Sequence, residues 1–170
     1  MVALNVVEVK QFMGHLLLRE VFDNFLVSEI EVLTSNRFKI NGRLNKAWFD
    51  ETQNEELQDE KLQEKEYLEW KDLKGIVYHI IKGNKTPHFM KIVFQLSKEN
   101  QQKVLERVGH EFSMEDVDGL FLNIRYEKGE LTLITGTSMQ TFTLNKALEH
   151  EWDENIKKYL KHFEIAFEEN

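Results

Sequence analysis

Gly119-Leu120-Phe121-Leu122-Asn123-Ile124-Arg125-Tyr126-Glu127-Lys128-Gly129-Glu130-Leu131-Thr132-Leu133-Ile134-Thr135-Gly136-Thr137-Ser138 holds two strand-like runs around a turn. Leu120, Leu122, Ile124 and Tyr126 alternate with Phe121, Asn123 and Arg125, the period of a strand with one buried face. Lys128-Gly129 punctuates the run, and Leu131 to Gly136 returns. Upstream, Met90, Ile92, Phe94 and Leu96 alternate with Lys91, Val93 and Gln95 as a further strand. Ser97 then offers a hydroxyl to the free amides of a helix start, and Glu99 sits where the helix dipole favours an acid. Val104, Leu105 and Val108 form the buried stripe, and Gly109 suits the stop. Downstream, Met139 to Leu144 reads as a third short strand. Residues 88–144 therefore read as a β-α-β-β-β unit.

The same order occurs earlier in the chain. Leu4 to Val7 is a short strand, followed by a helical stripe of Val9, Phe12, Met13, Leu16 and Leu17. Ile30 and Val32 alternate with Glu29 and Glu31, and Phe38 and Ile40 alternate with Lys39 and Asn41. Asn41-Gly42 carries the signature of a type I′ hairpin turn, which needs positive φ at both central positions. Arg43 to Ala47 is then expected as a third strand. The fold class is thus α+β, with duplicated β-α-β-β-β units and antiparallel sheets. Two helices lie outside the units. One is expected over 70–82, from Trp70, Leu73, Val77, Ile80 and Ile81. The other carries Ile156, Leu160, Phe163 and Phe167 on its docking stripe, with Glu154 and Lys158 as an i, i+4 pair.

The whole chain, 1–170, suits a single domain: first unit at 2–47, connector at 48–87, second unit at 88–144 and C-terminal helix at 147–168. Its 170 residues bury a sizeable core without staples. The absence of cysteine excludes disulfides, thiolate metal sites and cysteine nucleophiles, and fits a reducing cytoplasm. No signal-peptide pattern opens the chain, and its apolar runs are too short to span a membrane. Net charge is −8. Asp50 to Glu69 carries nine acids against Lys61 and Lys65, whereas Lys71 to Lys98 carries six lysines against Asp72. The acidic stretch reads as a solvated helix or loop, or as a partner-binding arm. The acidic total argues against indiscriminate nucleic-acid binding, while the basic stretch leaves room for a directed anionic contact.

The order of elements resembles the DNA sliding-clamp fold, whose domains are pairs of β-α-β-β-β units with helices inside and sheets outside. The stretch 119–138 is similar to the bacterial clamp pattern of strand, charged residue plus Gly turn, then L-x-L-x-x-G-T-D, with Ser138 in place of the final Asp. The resemblance implies contact with double-stranded DNA through helix faces, and a ring that would need six copies of one domain. The chain also resembles small bacterial proteins without an assigned function. One helix face is expected to show Lys10, His15 and Arg19, and the other Lys103, Arg107 and His110, for phosphate contacts that position a duplex without reading it.

Other chemistry is sparse. Gly83-Asn84-Lys85-Thr86 lacks the spacing of a phosphate loop, but Lys82, Lys85, His88 and Lys91 form a candidate basic loop for an anionic partner. Thr135 to Ser138 reads as a turn or, less simply, an anion site. His110-Glu111 with Asp116 and Asp118, and His150-Glu151 with Asp153, contain hard-metal donors but read as solvated loop and helix-start residues. No catalytic residue, metal or cofactor is assigned. The expectation is a non-enzymatic binding domain for DNA or for a protein partner. The alternative is a regulatory or scaffold module without a nucleic-acid role.

Overall fold

A computed structural model describes residues 1–51, 65–83 and 85–170. The connector's acidic stretch therefore lies mostly outside the described residues, as does Asn84. The elements are β1 (Ala3–Val6), α1 (Val9–Leu17), β2 (Leu26–Leu33), β3 (Arg37–Asn41), α2 (Lys46–Glu51), α3 (Trp70–Ile81), β4 (Phe89–Gln95), α4 (Lys98–Val108), β5 (Val117–Glu127), β6 (Glu130–Met139), α5 (Ala147–His162) and β7 (Phe167–Glu169). All seven strands join one sheet in the order β3-β2-β4-β5-β6-β1-β7, and every pairing is antiparallel. The protein is thus α+β, with an antiparallel sheet and, among the described residues, three α-helices (α2, α3 and α5) beyond the repeated strand–helix–strand–strand order.

Alternation decides which face of the sheet is buried. Leu4, Ile30, Val32, Met90, Ile92, Leu122, Ile124 and Leu133 point into the core. Helices cover that face. Trp70 of α3 meets Phe94 of β4 edge-on at 5.3 Å, and Val104 and Leu105 of α4 join the same core. Trp152 of α5 donates its indole N–H to the Phe121 carbonyl of β5 at 2.9 Å. The other face carries a row across the sheet, Lys39, Glu31, Lys91, Arg125, Thr132 and Asn5, paired strand by strand. A single antiparallel sheet with one packed and one wet face accounts for the alternating sequence.

Several expectations change. Neither unit has its third strand. Arg43 makes only a lone bridge to Tyr67, and α2 starts at Lys46. Residues 140–146 form no strand after β6 ends at Met139. Asn41-Gly42 is not a hairpin turn, since positive φ among the described glycines occurs only at Gly83, Gly109 and Gly129. Gly42 is instead clamped between segments: its N–H donates to the Ser28 carbonyl and its carbonyl accepts from Leu68. A Cβ there would lie 1.8 Å from the Val27 carbonyl oxygen. The type I′ geometry appears at Lys128 (φ 54°) and Gly129 (φ 86°), between paired Glu127 and Glu130.

The two units also place their strands differently. β4 and β5 are neighbours, whereas β1 and β2 are separated by β4, β5 and β6. The C-terminal helix stops at His162 rather than 168. Glu164 takes positive φ (58°), and Phe167 leaves the expected helical stripe to pair with Val6. The stripe that docks α5 is Leu148, Trp152, Ile156 and Leu160. Glu154 pairs with Lys157, one residue short of the expected Lys158. Ser97 does cap α4, accepting from the Asn100 N–H at 3.3 Å.

Candidate functional site

The helix-face residues separate. Lys10 and Arg19 are exposed on and just beyond α1, but His15 between them is buried with Phe12 and Leu16. Neither ring nitrogen of His15 has a hydrogen-bond partner. Burial, helped by the nearby Arg19 charge, holds its pKa below the ordinary histidine value. The i, i+3, i+4 spacing made His15 as eligible for the wet face as for the packed one, and tertiary packing decided it.

Lys103, Arg107 and His110 are exposed as expected. Lys103 pairs with Glu99 at 3.1 Å and donates to the Asn100 side-chain oxygen at 3.2 Å. Arg107 reaches Glu151 of α5 at 3.7 Å. Of the basic-loop group, Lys82, Lys85 and His88 gather with Thr34 and Ser35 around an open hollow. Lys91 is not part of it: it lies within β4 and pairs with Glu29 at 3.4 Å on the wet face of the sheet.

The carboxylates among the candidate metal donors have structural partners. Asp116 accepts from the Ser113 N–H and hydroxyl, which holds its carboxyl below the ordinary value. Asp118 accepts from Ser138, Glu111 from Asn145, and Asp153 from Thr135 and the Met1 amino group. Among the described residues no group of three or more His, Asp or Glu side chains is placed to hold a metal ion. Thr135 to Ser138 is not a turn but part of β6, with Thr135 buried between the Val2 N–H and Asp153.

The arrangement with the most binding character lies between α4 and α5. Asn100, Lys103, Val104 and Arg107 form one i, i+3, i+4, i+7 stripe, and Trp152, Asn155, Ile156 and Tyr159 form the stripe opposite. Phe25 and Leu96 close the base, and Asn24 stands at the rim. The hollow measures about 260 Å³. Its floor is rigid. Trp152 is tied to Phe121, and Tyr159 donates its hydroxyl to the Val21 carbonyl while meeting Phe25 edge-on at 5.7 Å. Burial, with a smaller push from Asp23, raises the Tyr159 pKa to about 12, so its hydroxyl stays a donor at neutral pH. The Asn24 and Asn155 side-chain amides have no hydrogen-bond partner among the described residues. The α4 half of this cleft was visible through Lys103 and Arg107 on the exposed helix face. The α5 half was not, because Trp152 and Tyr159 read as ordinary core aromatics until the two helices are brought together.

Fold and cleft define an α+β domain with a one-sided antiparallel sheet and a small aromatic hollow between two of its covering helices. Residues 15–168 match DUF5721, a family of unknown function, and the chain belongs to that family. No curated protein and no solved structure matches the chain. Among the described residues no helix is long and apolar enough to cross a membrane.

Proposed function

We propose that this protein is a binding module whose site is the α4–α5 cleft, and that it takes a small ligand with an apolar body and an anionic head. One observation carries this reading. An aromatic floor of buried Phe25 and Trp152 and partly buried Tyr159 is rimmed by two cations, Lys103 and Arg107, and by two amides with free hydrogen-bonding capacity, Asn24 and Asn155. An apolar hollow with a few convergent polar groups is the arrangement that small-molecule sites share.

Duplex DNA along the basic helix faces is the competing reading, supported by exposed Lys10, Arg19, Lys103 and Arg107. Against it stand the burial of His15, the pairing of Lys103 with Glu99, and the acid Glu151 that α5 brings to Arg107. The test uses the single-ring apolar anion benzenesulfonate in a calorimetric titration. It should bind the native protein and lose that binding in the Lys103→Ala/Arg107→Ala double variant. Duplex binding at low salt that weakens steeply as salt rises, and is lost in Lys103→Glu/Arg107→Glu, would replace this reading with the DNA one.

A further inference from the structure

We infer that the ligand of the α4–α5 cleft is a small monocarboxylate carrying a single apolar ring, an inference that rests on the cleft being the binding site. Size gives the first limit. At about 260 Å³ the hollow falls below the range of roughly 300–1,000 Å³ typical of drug-sized ligands, so one ring with a short arm fills it. Chemistry of the floor gives the second. Tyr159 is the partly exposed ring of the floor, fixed by its hydroxyl bond to Val21, and offers apolar surface to a ligand, while Trp152 and Phe25 are themselves buried.

Charge gives the third limit and separates a carboxylate from a phosphate. Each cation at the rim already has an acid beside it, Glu99 at Lys103 and Glu151 at Arg107. The rim is therefore close to neutral as it stands. A single negative charge can engage the Arg107 fork, whose contact with Glu151 is the looser of the two at 3.7 Å. A second negative charge on the ligand would face both glutamates with no free cation to meet it. At the head of α4 the Ser97 hydroxyl already takes the Asn100 N–H, which leaves one amide fewer for the oxygens of a phosphate. The Asn24 and Asn155 amides remain as donors for the carboxylate's other lone pairs.

Calorimetric titration with three probes of matched shape tests this: 3-phenylpropionate, 2-phenylethylphosphonate at a pH where it is a dianion, and uncharged 3-phenylpropanol. The carboxylate should bind best and change Trp152 fluorescence, and Arg107→Ala should weaken it about tenfold or more, the scale of losing a charge-assisted hydrogen bond. Glu151→Gln should do the opposite. It should tighten the carboxylate several-fold and narrow the gap to the phosphonate, a gain that a purely structural role for Glu151 would not give. Phosphonate or alcohol binding as tightly as the carboxylate overturns the inference. So does benzenesulfonate binding without any phenylpropionate binding, which leaves the cleft a site but changes its ligand. If neither the sulfonate nor the carboxylate binds, both readings fall together.

Discussion

Two single residues decide more of this molecule than their size suggests. Gly42 is one. Its backbone lies between β2 and the strand-like segment leading into α3, so near Val27 that a methyl group would collide with a backbone oxygen. Overpacking of this kind typically costs about 1–3 kcal/mol, and a backbone obstacle cannot rotate away. Gly42→Ala should therefore lower the urea midpoint by an amount in or above that range. An unchanged midpoint would show that the segment gives way freely. His15 is the other. It is buried without a partner, and its pKa is depressed below the 6.5 that it takes when unfolded. Above pH 6.5 the ring is neutral in both states and contributes no pH dependence. As the pH falls below that value the unfolded chain takes up the proton first, so stability declines until the folded-state pKa is passed. His15→Leu should flatten this part of the acid limb in a series of denaturation curves between pH 7.5 and 5. Parallel profiles for the native chain and the variant would assign the acid sensitivity to other groups. Glu69 is one such group: burial pushes its carboxyl up, but Lys65 and Lys71 together hold it down, so its contribution fades only at lower pH, in and below the carboxylate range.

At the scale of elements, most of the structure was legible and the errors have a common cause. Period-two runs located β2 to β6, and the Ser97 cap located the start of α4, because both signals are local. The stripe from Trp70 to Val77 located α3 for the same reason. Failures occurred where a local signal had a long-range use. Asn41-Gly42 has turn chemistry, yet Gly42 serves close packing while the Asn41 side chain accepts from the Arg43 N–H. The stretch Met139 to Leu144 has strand composition, but Phe142 and Leu144 stand exposed and unpaired beyond the end of β6. Phe167 continues the helical period of α5, yet the positive φ at Glu164 turns the chain so that it meets β1. The candidate site follows the same rule. One helix face could be listed from its spacing, but a cleft is a relation between two faces, and nothing local announces that α4 and α5 are neighbours.

The sheet as a whole binds the two halves of the chain into one unit. β2 of the first half pairs with β4 of the second, and β1 pairs with β6, so each half supplies strands that lie among those of the other. The aromatic cluster repeats the pattern across the core. Phe22 and Phe25 pack on Phe94 and Tyr159, with ring centroids between 5.4 and 6.1 Å apart. Separated, the N-terminal half would hold the β2–β3 hairpin and an isolated β1, with apolar faces that need a partner. A hairpin alone is marginal in water, and an unpaired inner strand exposes a full row of backbone donors and acceptors. Cleavage or separate expression at residue 84 should therefore give two fragments with little fixed tertiary structure. On mixing they should recover the near-ultraviolet signal of the buried tryptophans, Trp70 from the first fragment and Trp152 from the second. Independent cooperative folding of residues 85–170 would contradict this interleaving, since β4 would then have to do without β2 and β6 without β1.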